Sequence, residues 1–306
     1  MNYPIIKTKQ LSKKIKRESV IKEIDFTLNE GEICALIGKN GAGKSTFFKM
    51  LAGQMSATSG EIHLFNKTGP KINDSRKRMG FMIESPAFFP DFTAVENLEY
   101  FRLQRGVTEK HRIYEVLERA RLLDDKDKKF HTYSMGMKQR LGIALCLLSS
   151  PDCLVLDEPI NGLDSEGIVE IRNLLLKLNQ EYHITILLSS HILTELQLIA
   201  DRFVFMRKGR IVEDISKAEL EEKTEKRLFM KIDDDAKAVQ LLEINYPSIQ
   251  YEVLPQQIII IYNHIEEAGK INRLLVSNDI EVAEFRVETY KLEEYFLDVV
   301  EGKDYD

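Results

Sequence analysis

Tryptophan is absent from this chain of 306 residues, and cysteine occurs only at positions 34, 146 and 153. An odd set of thiols, each inside an apolar stretch, excludes a disulfide-stapled scaffold and offers no metal-ligand spacing; the expectation is reduced, buried core thiols in a cytosolic protein. Long apolar runs are missing too. The longest, Leu141 to Leu148 and Ile258 to Tyr262, fall well short of the about 18 residues that span a bilayer. The opening MNYPIIKTKQLSKK lacks the apolar centre of a secretory signal. Any work at a membrane therefore needs a partner to supply the membrane part. Nor is there a surplus of positive charge. Lys and Arg number 43 against 49 Asp and Glu, a net −6 with the signs interleaved, which speaks against a nucleic-acid partner.

What is present is an alternation. Glu32 to Gly38 (EICALIG), Cys153 to Pro159 (CLVLDEP) and Ile184 to His191 (ITILLSSH) are continuous apolar runs, the pattern of strands buried on both faces. Helical patterns intervene at Lys44 to Ala52 and Ser165 to Glu181. Strands alternating with helices predict an α/β core with a mainly parallel sheet. Arg202 to Asp214 reads as an edge hairpin around Lys208-Gly209. Residues 86–150 carry apolar positions at helical spacing and read as a helical subdomain inserted between two strands. After a charged helical bridge, residues 219–306 follow the order β-α-β-β-α-β, a small ferredoxin-like α+β domain closed by a last helix over Lys291 to Val300. The expected division is residues 1–218 and 219–306.

Gly38-Lys39-Asn40-Gly41-Ala42-Gly43-Lys44-Ser45 fits G-x-x-x-x-G-K-[ST], with a strand before it and a helix after it. Glycines let backbone wrap closely around phosphate oxygens, and successive N–H groups with the helix N-terminus supply partial positive charge. Lys44 then reaches the β- and γ-phosphates, Ser45 places its hydroxyl on Mg²⁺, and Thr46 adds a phosphate donor. Asp157 and Glu158 follow an apolar strand directly. Asp157 suits a Mg²⁺ contact, and Glu158 can orient or deprotonate an attacking water. His191, at the carboxyl end of a third strand, can hydrogen-bond the γ-phosphate or that water.

The set now resembles the ATPase family of ABC transporters. Tyr133-Ser134-Met135-Gly136-Met137-Lys138-Gln139-Arg140-Leu141 looks like the family's signature motif, Ile160 to Asp164 (INGLD) like its D-loop, and Ser189-Ser190-His191 like its switch histidine. The resemblance implies a phosphate-loop NTPase core with an antiparallel N-terminal part. It also implies a head-to-tail dimer of identical or related chains, in which Ser134 and Gly136 of one copy face the phosphate loop of the other. It further implies a membrane permease as partner and a place on the inner face of the cell membrane. The chain departs from the family pattern in three ways. Glu84 stands where glutamine is usual as a Mg²⁺ contact, and its carboxylate can still bind Mg²⁺. Met135 and Met137 replace common glycine and glutamine. Ile15 falls where an aromatic often stacks on adenine. Glu84 in its ESPAFFPDFTAVENL context, SMGMKQRLGIA and KLEEYFLDVV are similar to exporters of bacitracin and lantibiotics. Phe88, Phe89 and Phe92 would anchor a cytoplasmic helix of the permease. Two other readings remain at this stage: an ABC ATPase acting on ribosomes or DNA, and a C-terminal domain that senses a ligand or serves as a dimer contact.

Overall fold

A computed structural model describes residues 3–84, 87–190, 193–223, 226–289, 295, 296 and 299. The chain opens with two long strands, β1 (Pro4–Ile15) and β2 (Glu18–Asn29), followed by β3 (Ile33–Ile37), α1 (Lys44–Leu51), β4 (Ser59–Leu64), α2 (Ile72–Arg76) and β5 (Met79–Met82). Three helices come next, α3 (Ala94–Gln104), α4 (Arg112–Arg119) and α5 (Met135–Leu147). The chain then returns to strands with β6 (Cys153–Leu156), α6 (Ser165–Tyr182), β7 (Thr185–Ser189), α7 (Leu193–Ile199), β8 (Arg202–Arg207) and β9 (Arg210–Ser216).

Every residue of β3, β6 and β7 is buried, so these strands are covered on both faces. They form the middle of a six-stranded sheet in the order β5-β6-β7-β3-β8-β9, parallel except for the β8–β9 hairpin. Leu156 lies beside Leu188, and Leu36 beside Ser189. The carboxyl ends of β6, β7 and β3 therefore finish at one level, where ligands collect in such sheets.

Strands β1, β2 and β4 make a separate antiparallel sheet. Its inward residues, among them Ile6, Leu11, Ile24 and Phe26, share one core with Phe47 and Phe48 of α1 and Leu36 of β3. Phe26 and Phe47 meet edge to face at 5.6 Å. The helix that carries the glycine-rich loop is thus gripped by the antiparallel sheet as well as by the parallel one. In the helical segment, Thr93 and Glu96 close a reciprocal cap at the start of α3: each accepts the other's backbone N–H, at 3.1 and 2.7 Å.

A second compact unit begins at Ala218. Helix α8 (Lys217–Lys223) leads to β10 (Lys226–Ile232), α9 (Asp235–Asn245), β11 (Tyr251–Leu254), β12 (Ile258–Ile261), α10 (Ala268–Ser277) and β13 (Val282–Thr289). The antiparallel sheet runs β11-β12-β10-β13, which is the ferredoxin-like arrangement. Leu228, Met230, Ile259 and Ile261 pack on Leu242 of α9 and on Ile271 and Leu275 of α10. Most of the last helix expected from the sequence lies outside the described residues.

Candidate active site

Strand β3 delivers the chain to Gly38, and the loop turns back as Ala42 N–H donates to the Lys39 carbonyl at 3.0 Å. Gly43 caps α1 at φ 111° and ψ 0°, a left-handed conformation that side-chain-bearing residues rarely adopt. A hollow of about 210 Å³ opens over the loop, walled by Asn40, Gly41, Gly43, Lys44, Ser45 and Thr46. Lys39, Ala42, Val20 and Glu158 complete the wall. Lys44 is buried, its ammonium donating to the Gly38 carbonyl at 2.6 Å and lying 3.6 Å from Glu158 Oε1. A buried cation, a helix N-terminus and open backbone amides together make an anion site.

The loop is also tied to the far end of the first unit. At the β8–β9 turn, Gly209 N–H donates to the Ala42 carbonyl at 2.9 Å, while Lys22 N–H donates to the Gly209 carbonyl at 2.8 Å. Gly209 has φ +83°, and a Cβ there would sit 2.2 Å from the Val20 carbonyl oxygen. Only glycine fits this approach.

Asp157 and Glu158 emerge from β6 beside the end of β7. Asp157 N–H donates to the Met82 carbonyl at 2.8 Å. The Ser189 hydroxyl donates to Asp157 Oδ1 at 2.5 Å and accepts the Glu158 N–H at 2.9 Å. Glu158 itself has φ 51°, an uncommon conformation for a residue with a side chain. Glu84 has φ 66°, and its exposed carboxylate pairs with Lys49 Nζ at 2.6 Å. Glu84, Asp157 and Glu158 line a second hollow of about 220 Å³ together with Met135, Gln139 and Asn161.

Ser134 caps α5 by accepting the Met137 N–H at 3.2 Å, with Gly136 in the first turn that follows. Neither Ser134 nor Gly136 belongs to the wall of the phosphate-loop hollow. Ile15, at the tip of the β1–β2 hairpin and 40% exposed, is not in that wall either; Val20 of β2 is. His191 lies outside the described residues. Sequence reasoning placed Ser189 in the switch motif and Gly209 in a hairpin without giving either a part in the site, and it did not single out Val20 or Lys49. Among the described residues, no three His, Cys, Asp or Glu side chains are grouped to hold a metal ion. Ser45 lines the phosphate-loop hollow and Asp157 the second one, with Glu158 in both; a hydroxyl and a strand-end carboxylate are donor types that suit Mg²⁺ arriving with phosphate oxygens.

A glycine-bent loop between a buried strand and a helix, with its lysine facing a strand-end Asp-Glu pair, defines a nucleoside-triphosphatase. The ABC transporter family model matches residues 21–161. Over 299 residues the chain is 38% identical to the bacitracin transport ATP-binding protein BcrA of Bacillus licheniformis, covering 97% of this chain and 98% of that one. It is also 38% identical over 208 residues to the lantibiotic transport ATP-binding protein SrtF of Streptococcus pyogenes, covering 68% and 89%. Among solved structures, a dimeric post-hydrolysis ATP-binding cassette bound to ADP and Pi superimposes with a TM-score of 0.63 at 25% identity. It covers 69% of this chain and 98% of its own. The protein cbiO1 from Clostridium perfringens, part of an ABC transporter complex, gives 0.66 at 26% identity, covering 81% and 97%. The chain belongs to the ABC transporter family as an ATP-binding, ATP-hydrolysing subunit. No helix among the described residues is long and apolar enough to cross a membrane.

Proposed function

We propose that this ATPase couples MgATP binding and hydrolysis to the export of a peptide antibiotic or drug through a separate membrane permease. It would work from the cytoplasmic face as a dimer of identical or related chains. The observation that carries the reading is the meeting of Lys44 and Glu158 at 3.6 Å across the mouth of the loop. There, a cation for the phosphates and a carboxylate for water line one hollow. The amides of Asn40, Gly41 and Gly43 and the Lys44 ammonium would hold the β- and γ-phosphates, with Gly38 admitting close backbone and Thr46 adding a donor. Ser45 and Asp157 would hold Mg²⁺, which on binding neutralises charge on the phosphate oxygens. Glu158 aligns a water with the γ-phosphorus and takes its proton as the bond to ADP breaks. His191 is assigned to the γ-phosphate, and Ser134 and Gly136 to the nucleotide held by the other copy. Val20 adds an apolar side to the hollow, and Ile15 is assigned to the adenine.

The permease would dock on aromatic surface near the helical segment. Phe89 packs against Phe92 in a tilted pair and meets Tyr100 edge to face, both at 4.9 Å, and all three rings are partly exposed. Phe88 is buried against Phe101 and Phe130, so it supports the patch rather than forming it. The substrate class rests on the likeness to the bacitracin and lantibiotic transport proteins. All the assigned residues lie in the first unit, and the unit beginning at Ala218 is proposed as an accessory domain.

Glu158→Gln tests the core of this reading. Nucleotide affinity should hold while turnover falls at least 100-fold, and ATP should trap a dimer visible by size-exclusion chromatography. Normal turnover in that variant would remove Glu158 from the role of base.

A further inference from the structure

We propose that Ser189 is a positioning residue that locks both strand-end carboxylates at once; this rests on the reading of Glu158 as the base. Its side chain is fully buried, and its hydroxyl is spent in two directions. The O–H donates to Asp157 Oδ1 at 2.5 Å, and a lone pair accepts the Glu158 N–H at 2.9 Å. A serine hydroxyl has one proton to give, so its orientation is set by these two partners. The sheet register makes the arrangement inevitable: Leu156 pairs with Leu188, which brings the residue after β6 level with the last residue of β7.

The two bonds do different work. The first prevents the Asp157 carboxylate from turning and commits one of its oxygens to the protein. The second helps to hold an uncommon backbone conformation, because Glu158 sits at φ 51°, which persists only where surroundings over-determine it. Without an acceptor at Ser189, that N–H would have to shift toward another partner, and the Glu158 carboxylate would shift with it. Displacing a reacting group by about 1 Å can cost about 100-fold in rate. Neither hydrogen bond touches the phosphate loop, so the loss should fall on turnover and spare nucleotide binding.

Ser189→Thr and Ser189→Val test this, since the two replacements match in volume and differ in the hydroxyl. The threonine variant should keep kcat within about threefold of the parent, while the valine variant falls about 100-fold. The KM for ATP, and the Kd for a fluorescent ATP analogue measured without Mg²⁺, should stay within about twofold in both. A valine variant with kcat within threefold of the threonine variant would overturn the proposal, as would a parallel loss of kcat and nucleotide affinity. Should Ser189→Val fail to fold, Ser189→Ala is judged against Ser189→Thr by the same criterion. Glu158→Gln is run alongside: retained turnover there refutes the base assignment, whereas its loss together with an unaffected valine variant refutes only the role of Ser189.

Discussion

Replacing Lys44 with methionine deletes one ammonium and keeps the buried stem, and it separates two effects that a harsher change would merge. In the folded chain the ammonium donates to the Gly38 carbonyl at 2.6 Å and faces Glu158 at 3.6 Å. Losing a charge-assisted bond costs about 1.5–3 kcal/mol. That loss is partly offset because the buried ammonium no longer has to be kept from water. A net loss of about 1 kcal/mol lowers Tm by about 2–4 °C in a domain of this size. Nucleotide binding has no such offset. The missing contact is to a polyanion inside the loop, and a loss of about 1.5–3 kcal/mol weakens affinity about 10- to 150-fold. Titration with a fluorescent ATP analogue, with and without Mg²⁺, reads the second effect, and a thermal melt reads the first. Affinity within twofold of the parent, with the melt displaced by no more than a few degrees, would refute the idea that this cation waits for phosphate.

Gly43→Ala should abolish detectable ATP binding, because the residue sits at φ +111° and the new Cβ would lie 2.9 Å from Ile21 Cδ1. Gly41→Ala, with nothing within 4 Å of its Cβ, should weaken binding less, and isothermal titration ranks the two. Lys49→Met should change stability by less than about 1 kcal/mol, since its pair with Glu84 is exposed. It should nevertheless raise the KM for ATP by leaving an unmatched carboxylate beside the site, and Glu84→Gln in the same background should restore it. Burial pushes the Cys146 thiol up to about 12 and raises Cys34 and Cys153 as well. Because desolvation disfavours the thiolate, raising the pH from 7 to 9 should leave labelling of the folded protein slow. All three thiols should react rapidly in denaturant; fast labelling of the native chain at pH 8 would contradict their burial.

The parts of the fold legible in the sequence were those where one residue type has one use. Continuous apolar runs marked β3, β6 and β7 because strands covered on both faces leave no polar positions. Ser134 marked the start of α5 because a hydroxyl before an apolar helix is a cap, and Lys208-Gly209 marked a hairpin because the turn needs φ > 0. Other features were hidden because their residue types are generic. Ser189 reads as one more small residue at a strand end, and only the β6–β7 register shows that it faces Asp157. Lys49 is an ordinary helix-surface lysine until the chain returns with Glu84. Val20 lines the loop's hollow and Ile15 does not, in a hairpin whose β1–β2 register slips at several points, including between Lys13 and Lys14. Such slips decide which side chain faces which way and leave no mark in the hydropathy pattern.

The bond from Gly209 to the Ala42 carbonyl means that the nucleotide loop is not a self-sufficient motif. Its curvature is partly written by a turn that the ribosome makes more than a hundred residues later. A side chain at 209 would collide with the Val20 backbone and pull on the loop from behind, leaving every letter of the glycine-rich signature unchanged. Damage at that distant turn should therefore mimic a broken signature, and the nascent loop should take its final shape only once β8 and β9 have been made.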